Sequence, residues 1–413
     1  MVTRRELLAG SALLGAGAAL LRSSEARAEP APDDAGKLPY TPVVTPNVTA
    51  MPWTMKDGVK EFRLVAEQVK REIAKGMTIN AWGYNGSTPG PTIEAVEGDR
   101  VRFIVTNKLP ERTSVHWHGL FLPNGMDGVA GLNQPHIEPG ETYVYEFTLR
   151  QNGVFMYHPH SDEMVQMAMG MMGFFVVHPR APERPVVDRH FLVMLHEWFI
   201  QPGTATPNPM IMLDFNLFTF NSRAWPGTDP FVVRTGQRVR VTFGNLSMDS
   251  HPLHLHGYRF WHVGTDGGTI PRSARVPMTT INVPVGSTQT VEWVADVPGD
   301  WAFHCHKSHH TMNPMGHDVP NMMGVKQKGV EERIQKVLPG YMAMGQSGMG
   351  GMMDMGRPKN TLPMMTGQGP FGDIEMGGMF TVLKVRDGIS SYEDPGWYKH
   401  PEGTVARKIV VPK

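Results

Sequence analysis

Two histidine motifs occur twice in this chain, at a nearly constant separation. His-x-His-Gly spans 116–119 and again 254–257, and His-x-His spans 158–160 and again 304–306. Each copy begins eighteen residues after a glycine. The offset is 138 residues for the first motif and 146 for the second, so one loop of the second copy is longer by eight. Such a repeat predicts two domains of the same fold in tandem.

The segments between the motifs predict β-strands. Runs such as 101–105, 143–147 and 239–243 are rich in Val, Phe and Tyr and are bounded by Gly, Pro and Asn. Sustained helical periodicity is scarce. We therefore predict an all-β chain with two β-sandwich domains at 50–180 and 186–330, followed by a Met/Gly-rich segment at 331–379 and a C-terminal strand and tail at 380–413.

If the histidine motifs lie on strands, strand geometry makes them candidates for metal binding. Residues two apart on a strand share a face, so each motif presents two imidazoles together. Eight imidazoles at repeat-related positions predict metal binding. The histidines outside the pattern are interpreted as ordinary core or surface residues, and these are His136, His178, His190, His196, His262, His317 and His400.

Cys305 is the only cysteine, and it lies between two of these histidines. On a strand it faces away from His304 and His306, as His251 faces away from the histidine pair that follows it. His310 and Met315 come five and ten residues after Cys305. A cysteine, two histidines and a weak axial methionine are typical of a blue-copper electron-transfer site.

Composition agrees with copper chemistry. The chain has 413 residues, 30 of them Met and 18 His, and thioethers and thiolates select Cu(I) while imidazole suits copper in both states. The formal net charge is zero, so charge gives no indication of nucleic acid or of an acidic partner.

The four motifs, read in order as HWHG, HPH, HPLHLHG and HCHKSHHTMNPM over about 55–320, resemble the copper-binding signatures of the multicopper oxidases. The resemblance implies cupredoxin-like Greek-key folds and four coppers per functional unit. It implies a type 1 copper held by His251, Cys305, His310 and Met315, and a type 2 copper held by His116 and His254. The type 3 pair would be held by His118, His158, His160, His256, His304 and His306.

Spacing narrows the resemblance to one branch of the family. Only 90 residues separate His160 from His251, so no middle domain fits. In the first domain, the positions that correspond to the four type 1 ligands are occupied by Thr113, Pro159, Met164 and Met169. Because the cysteine and both histidines are missing there, that domain should hold no type 1 copper. The chain resembles the two-domain, small laccase-like branch. That resemblance implies a homotrimer whose copper clusters form between subunits.

Two residues are candidates for proton delivery. Asp127 resembles the family's acid near the type 2 copper, although an Asp-Gly pair is also typical of a turn. A second family acid often precedes the last type 1 histidine, and this chain has His309 there. Either His309 carries protons, as histidine side chains can near neutral pH, or the relay runs elsewhere.

Methionine clusters indicate the substrate. Five methionines between 164 and 172 suit either core packing or copper binding, and ten lie between 342 and 379. The second cluster is either a disordered tail or a Cu(I)-binding lid, and it resembles the inserts of periplasmic oxidases that protect against copper. We expect an O2-dependent oxidase of Cu(I) that also accepts phenols. The alternatives are a general laccase, a copper nitrite reductase and a non-catalytic copper-binding protein.

The first 28 residues predict export. Arg4 and Arg5 precede an apolar stretch that runs to about Leu21, and 26–28 is a small-x-small cleavage site. This pattern is typical of a twin-arginine signal and predicts a periplasmic protein; a membrane anchor is the alternative.

Overall fold

The structure, a computed structural model, describes residues 40–313, 330–339 and 358–410. The expected signal peptide, Met315 and the methionine run from 342 to 355 lie outside these ranges. Within them, no helix has the length and apolar character needed to cross a bilayer. The predicted all-β fold is confirmed, because strands form both sandwiches and the α-helices of the described ranges have only six residues each.

The first sandwich runs from residue 53 to residue 178. Its elements are β1 (Trp53–Lys56), β2 (Val59–Ala74), β3 (Met77–Tyr84), β4 (Ile93–Val96), β5 (Arg100–Asn107), β6 (His116–His118), β7 (Thr142–Thr148), β8 (Gly153–His158), α1 (Glu163–Ala168) and β9 (Gly173–His178).

These strands form two sheets, with the orders β1-β2-β5-β7 and β4-β9-β8-β6, and β3 pairs with β2. Alternation builds the core: Val101, Phe103 and Val105 of β5 are fully buried. The ring centroid of Phe103 lies 4.2 Å from that of Trp117 on the facing sheet. Parallel pairing of β2 with β5 and of β4 with β9 gives the crossed connections of a Greek key.

The second sandwich repeats this plan. Its elements are β10 (Arg189–Trp198), β11 (Leu217–Phe220), β12 (Phe231–Arg234), β13 (Arg238–Asn245), β14 (His251–Leu255), β15 (Phe260–Thr265), β16 (Gly268–Thr269), β17 (Val276–Met278), β18 (Thr280–Val283), β19 (Ser287–Val294), β20 (Gly299–Cys305), α2 (Val330–Gln335), β21 (Gln368–Gly369), β22 (Gly372–Asp373) and β23 (Phe380–Arg386).

The last strand belongs to the second sandwich. One sheet has the order β11-β10-β13-β19-β15-β16, with β17 on β15, and the other has the order β12-β23-β20-β14-β18. β23 therefore lies between β12 and β20, as β9 lies between β4 and β8. The predicted boundary at 330 leaves out this strand, whose Leu383 and Val385 are fully buried in the domain core. The Met/Gly-rich segment is thus an insertion within the domain.

The two sandwiches stack as four layers of sheet. In β8, Tyr157 points into the core of the first sandwich, while its neighbour Met156 points toward the second. In β10, Leu192 packs with Met156 and Val193 points into the core of the second sandwich. The sheet that contains β10 therefore faces the first sandwich. The sheet that contains β14 and β20 is the outermost layer.

Candidate metal centres

A thiol and two imidazoles converge in the core of the second sandwich. Cys305 ends β20, His251 begins β14, and His310 lies in a 3-10 helix, Ser308–Thr311. The Cys305 sulfur is 3.9 Å from His251 Nδ1 and 3.7 Å from His310 Nδ1, and these two nitrogens are 3.1 Å apart. All three side chains are buried. Two imidazole nitrogens and one sulfur around a common point suit copper in a trigonal site.

Burial keeps this group uncharged in the metal-free protein. It raises the pKa of the Cys305 thiol to about 11 and lowers the pKa of His310 to about 4. The pKa of His251 lies far below its usual range, first because of burial and second because of nearby His310. Both imidazoles are therefore neutral and ready to bind a cation near neutral pH. Only the thiol must lose a proton.

Hydrogen bonds hold the loop that carries His310 against residues at the C-terminal end of the Met/Gly-rich insertion. The backbone N–H of Asn313 donates to Met364, and its buried side chain donates to the carbonyls of Trp225 and Pro363 and accepts from Gly378 N–H. Gly378 has a φ of +52°, and a Cβ there would collide with the carbonyl of His310. Met364 is thus core, not part of a free tail. The expected axial ligand Met315 lies outside the described residues.

The four histidines of the first sandwich form one group. His118 Nδ1 lies 3.2 Å from His158 Nε2, and the His116 ring centroid lies 5.3 Å from His158 and 5.6 Å from His160. Backbone carbonyls orient two of the rings: Nδ1 of His116 donates to Asp127 and Nδ1 of His158 donates to Pro159. Carbonyl partners of this kind fix which nitrogen of each ring is free to bind a metal.

The second sandwich repeats the arrangement. His256 Nε2 lies 3.0 Å from His304 Nε2, and the ring centroids of His254 and His306 are 5.5 Å apart. Nδ1 of His254 donates to the carbonyl of Thr279, and Nδ1 of His304 donates to that of Cys305. Each sandwich therefore brings four imidazoles together that could bind metal ions.

The two histidine groups do not meet within one chain. His116 and His118 flank the core residue Trp117, so they lie on the face of their sheet that is directed toward the second sandwich, where His118 bonds the Gly286 backbone. His304 lies on the opposite side of its strand from the core residue Cys305, and its ring stacks on Phe380 outside that core. Ring contacts join the histidines only within each group of the described chain. A sandwich about 10 Å thick separates the groups.

The proton-relay candidates lie in different surroundings. Asp127 Oδ1 is 3.5 Å from His116 Nδ1, and this carboxylate is partly open to solvent. His309 is exposed beside the buried His310. Sequence patterns gave no indication of Glu163, whose carboxylate oxygens lie 3.8 Å from His158 Nδ1 and 4.0 Å from His160 Nε2. Glu163 follows His160 by three residues, a spacing that acquires meaning only once α1 is known to start there.

Buried neutral histidines make the metal-free protein sensitive to acid. Burial lowers the pKa of His158 to about 3 and that of His196 to about 4, and His251 behaves alike. In the unfolded chain each ring is exposed and has its ordinary pKa of about 6.5, so it binds a proton below that pH while the folded protein does not. Lowering the pH from 7 to 5 should therefore reduce the free energy of unfolding by about 2 kcal/mol for each ring. Urea titrations of the metal-free protein at both pH values measure this, and equal midpoints would contradict it.

Comparisons with known proteins identify the family of this chain. Two family models described as multicopper oxidase match residues 65–182 and 201–323. Copper resistance protein A of Escherichia coli is 46% identical over 114 residues, which are 28% of this chain and 18% of that protein. Copper resistance protein A of Pseudomonas syringae pv. tomato is 44% identical over 123 residues, which are 30% of this chain and 20% of that protein.

The chain thus matches about a fifth of the length of these curated relatives. A blue copper oxidase from Nitrosomonas europaea shares the fold, with a TM-score of 0.60 at 24% identity, over 82% of this chain and 91% of that chain. The two family models together cover more than half of the 413 residues and include all the described histidines of both groups. The chain belongs to the multicopper oxidase family.

Proposed function

We propose that this protein is an oxidase that takes single electrons from Cu(I), and also from phenols, and reduces O2 to water. The observation that carries the proposal is the His304-Cys305-His306 segment. Its sulfur points into the buried site, while its two imidazoles point to the outer histidine group. Bound copper would supply one-electron transfer at the buried site and four-electron reduction of O2 at the cluster: one type 1, one type 2 and two type 3 ions per functional unit.

The residues of the chain divide the remaining work. His251, Cys305 and His310 hold the buried site away from water, with Met315 proposed as the axial ligand. The backbone of Cys305 is the shortest covalent path to both neighbouring histidines. We propose that Asp127, close to His116 and partly open to solvent, passes protons toward the cluster, with His309 as the second candidate for this task.

A complete cluster requires a second copy of the chain. Two histidine groups on separated faces cannot enclose one cluster in a monomer. Contact between the first sandwich of one copy and the outermost sheet of the next brings unlike surfaces together, and such a head-to-tail contact forms a ring when its rotation closes. We propose a homotrimer with one cluster at each of its interfaces. Its location would be the periplasm, reached by the twin-arginine route.

Groups around His310 favour a cuprous donor. Asp249 Oδ2 lies 3.6 Å from His310 Nε2, and it is held by Lys307 at 3.0 Å. Met248, the residue before Asp249, is exposed. Its soft thioether sulfur suits Cu(I) as a substrate.

The methionine run of the insertion supports the same donor. Replacement of its six methionines between 342 and 355 by leucine should lower kcat/KM for Cu(I) about tenfold, equivalent to about 1.4 kcal/mol, because leucine offers no sulfur. Phenol oxidation by the same variant is the control and should not change. The substitutions stop before Leu362 and Met364 because these two side chains are buried in the fold. Equal loss with both donors would contradict a role in Cu(I) delivery.

Oxygen uptake with separate donors tests the proposed function. Cu(I), a phenol and nitrite are supplied in turn, and the expected result is fastest oxygen consumption with Cu(I), slower consumption with the phenol and no nitrite reduction. Faster turnover of the phenol without added copper would indicate a general laccase. Nitrite reduction would indicate a copper nitrite reductase. Metal binding without oxygen consumption would indicate a copper-binding protein, and any of these three outcomes would refute the proposal.

A further inference from the structure

We propose that Glu197 is a positioning residue that lowers the reduction potential of the blue-copper site through His251. The inference rests on the proposed type 1 site but not on its oxygen chemistry. Glu197 lies near the end of β10, and its side chain is 1% exposed. Its Oε1 atom is 3.4 Å from His251 Nε2, and its Oε2 atom accepts a hydrogen bond from the Met248 backbone.

The fold alone does not explain a carboxylate at this position. Phe191, Val193 and Leu195 point from β10 into the core of the second sandwich, and Glu197 continues the same face of the strand. Burial of a carboxylate costs several kcal/mol unless hydrogen bonds or an opposite charge offset it. Oε1 has no hydrogen-bond partner among the described residues. A carboxylate oxygen that is buried, unpaired and next to a metal-site imidazole points to a role at that site.

The orientation of His251 determines what Glu197 can do. Nδ1 of His251 faces Cys305 and His310, so Nε2 is directed away from the metal position, toward Glu197 and Ser247 Oγ, which lies at 3.0 Å. Ser247 donates its own proton to Asn245 Oδ1, so its lone pair is free to accept from Nε2. A carboxylate behind a ligand imidazole makes that imidazole a stronger donor. It therefore stabilises Cu(II) more than Cu(I).

Asp249 provides a matched comparison within the same site. It stands behind the other imidazole at a similar distance, 3.6 Å from His310 Nε2, but its side chain is 52% exposed. Water and salt screen an exposed charge, whereas a buried charge acts through a lower dielectric. The two carboxylates therefore differ in burial, and Asp249 is also paired with Lys307 at 3.0 Å. Removal of the buried carboxylate should have the larger effect.

The test measures the Cu(II)/Cu(I) equilibrium of the blue site by redox titration of its absorption. Glu197→Gln should shift the ratio of Cu(II) to Cu(I) affinity about tenfold toward Cu(I), which raises the potential by about 59 mV. Asp249→Asn should give a smaller shift that shrinks between about 10 mM and about 500 mM salt, while the Glu197→Gln shift persists. Ser247→Ala removes the closer hydrogen bond without a change of charge and separates the two contributions.

Two outcomes would overturn the proposal: an unchanged potential in Glu197→Gln with the blue absorption intact, or an equal shift in Asp249→Asn. If Glu197→Gln does not fold, Glu197→Asp serves instead, because it keeps the carboxylate but moves it away from His251 by the length of one methylene. It should raise the potential by a smaller amount, and an unchanged value would refute the role of Glu197. Oxygen consumption is not part of this measurement, so failure of the proposed oxidase function would leave it interpretable.

Discussion

Replacement of Cys305 by serine should abolish both the blue absorption and oxygen consumption. The serine hydroxyl is nearly the same size as the thiol, so the core around β14 and β20 should persist. It does not ionise near neutral pH, however, and cannot supply the strong anionic sulfur ligand of a type 1 copper. The electron path from the buried site to His304 and His306 is then lost at its first atom.

The measurements for this variant are the visible spectrum, the copper content and oxygen uptake. Copper at the histidine groups should remain bound, because no imidazole of either group is altered. Ser308→Ala, an exposed change in the adjacent 3-10 helix, is the matched control and should keep full colour and turnover. Oxidase activity that survives in Cys305→Ser would show that electrons enter the cluster by another route.

Co-expression of two inactive variants should restore about a quarter of the wild-type oxygen uptake. One variant carries His116→Ala and His118→Ala in the first sandwich, and the other carries His254→Ala and His256→Ala in the second. In a head-to-tail ring of three, every mixed trimer has one interface where both halves are intact. Random mixing then leaves about one interface in four active. A monomer, or a cluster formed within one chain, would give no recovery.

A second pair of variants is the control for this experiment. When His116→Ala is co-expressed with His158→Ala, both changes fall in the first sandwich. No interface then has an intact first half, so activity should stay at background. Recovery of activity here would mean that the single variants retain activity of their own. Absence of recovery in the first pair, with mixed trimers isolated by two affinity tags, would refute the intersubunit cluster.

Much of the fold and of the buried site could be predicted from local pattern. Runs rich in Val and Phe, such as Val101–Val105 and its counterpart in β13, predicted strands because turn residues bound them. The alternation of side chains along a strand predicted that Cys305 would face away from its two neighbours. The opposite orientations of the Cys305 side chain and of the two neighbouring histidines follow from backbone geometry alone, and predicting them needs no information about distant residues.

Other features depend on contacts between residues far apart in the chain. β23 joins the second sandwich beside β20 after an insertion, and nothing local distinguishes it from a separate tail. In the sequence, Glu197 looks like an ordinary charged residue at the end of an apolar strand. Only the structure shows that this end of β10 lies against the loop that contains Met248. Glu163 gains its position beside His158 and His160 only through the turn into α1.

By itself, the sequence determined an all-β plan of two repeated domains and the residue types of the metal centres, since strand periodicity and motif spacing are properties of short segments. Only the tertiary structure decided that the two histidine groups lie on separated faces, and that a buried carboxylate stands behind His251. Both depend on which sheet faces which. That choice is made by side-chain packing between layers, such as Met156 against Leu192, and not by any single strand.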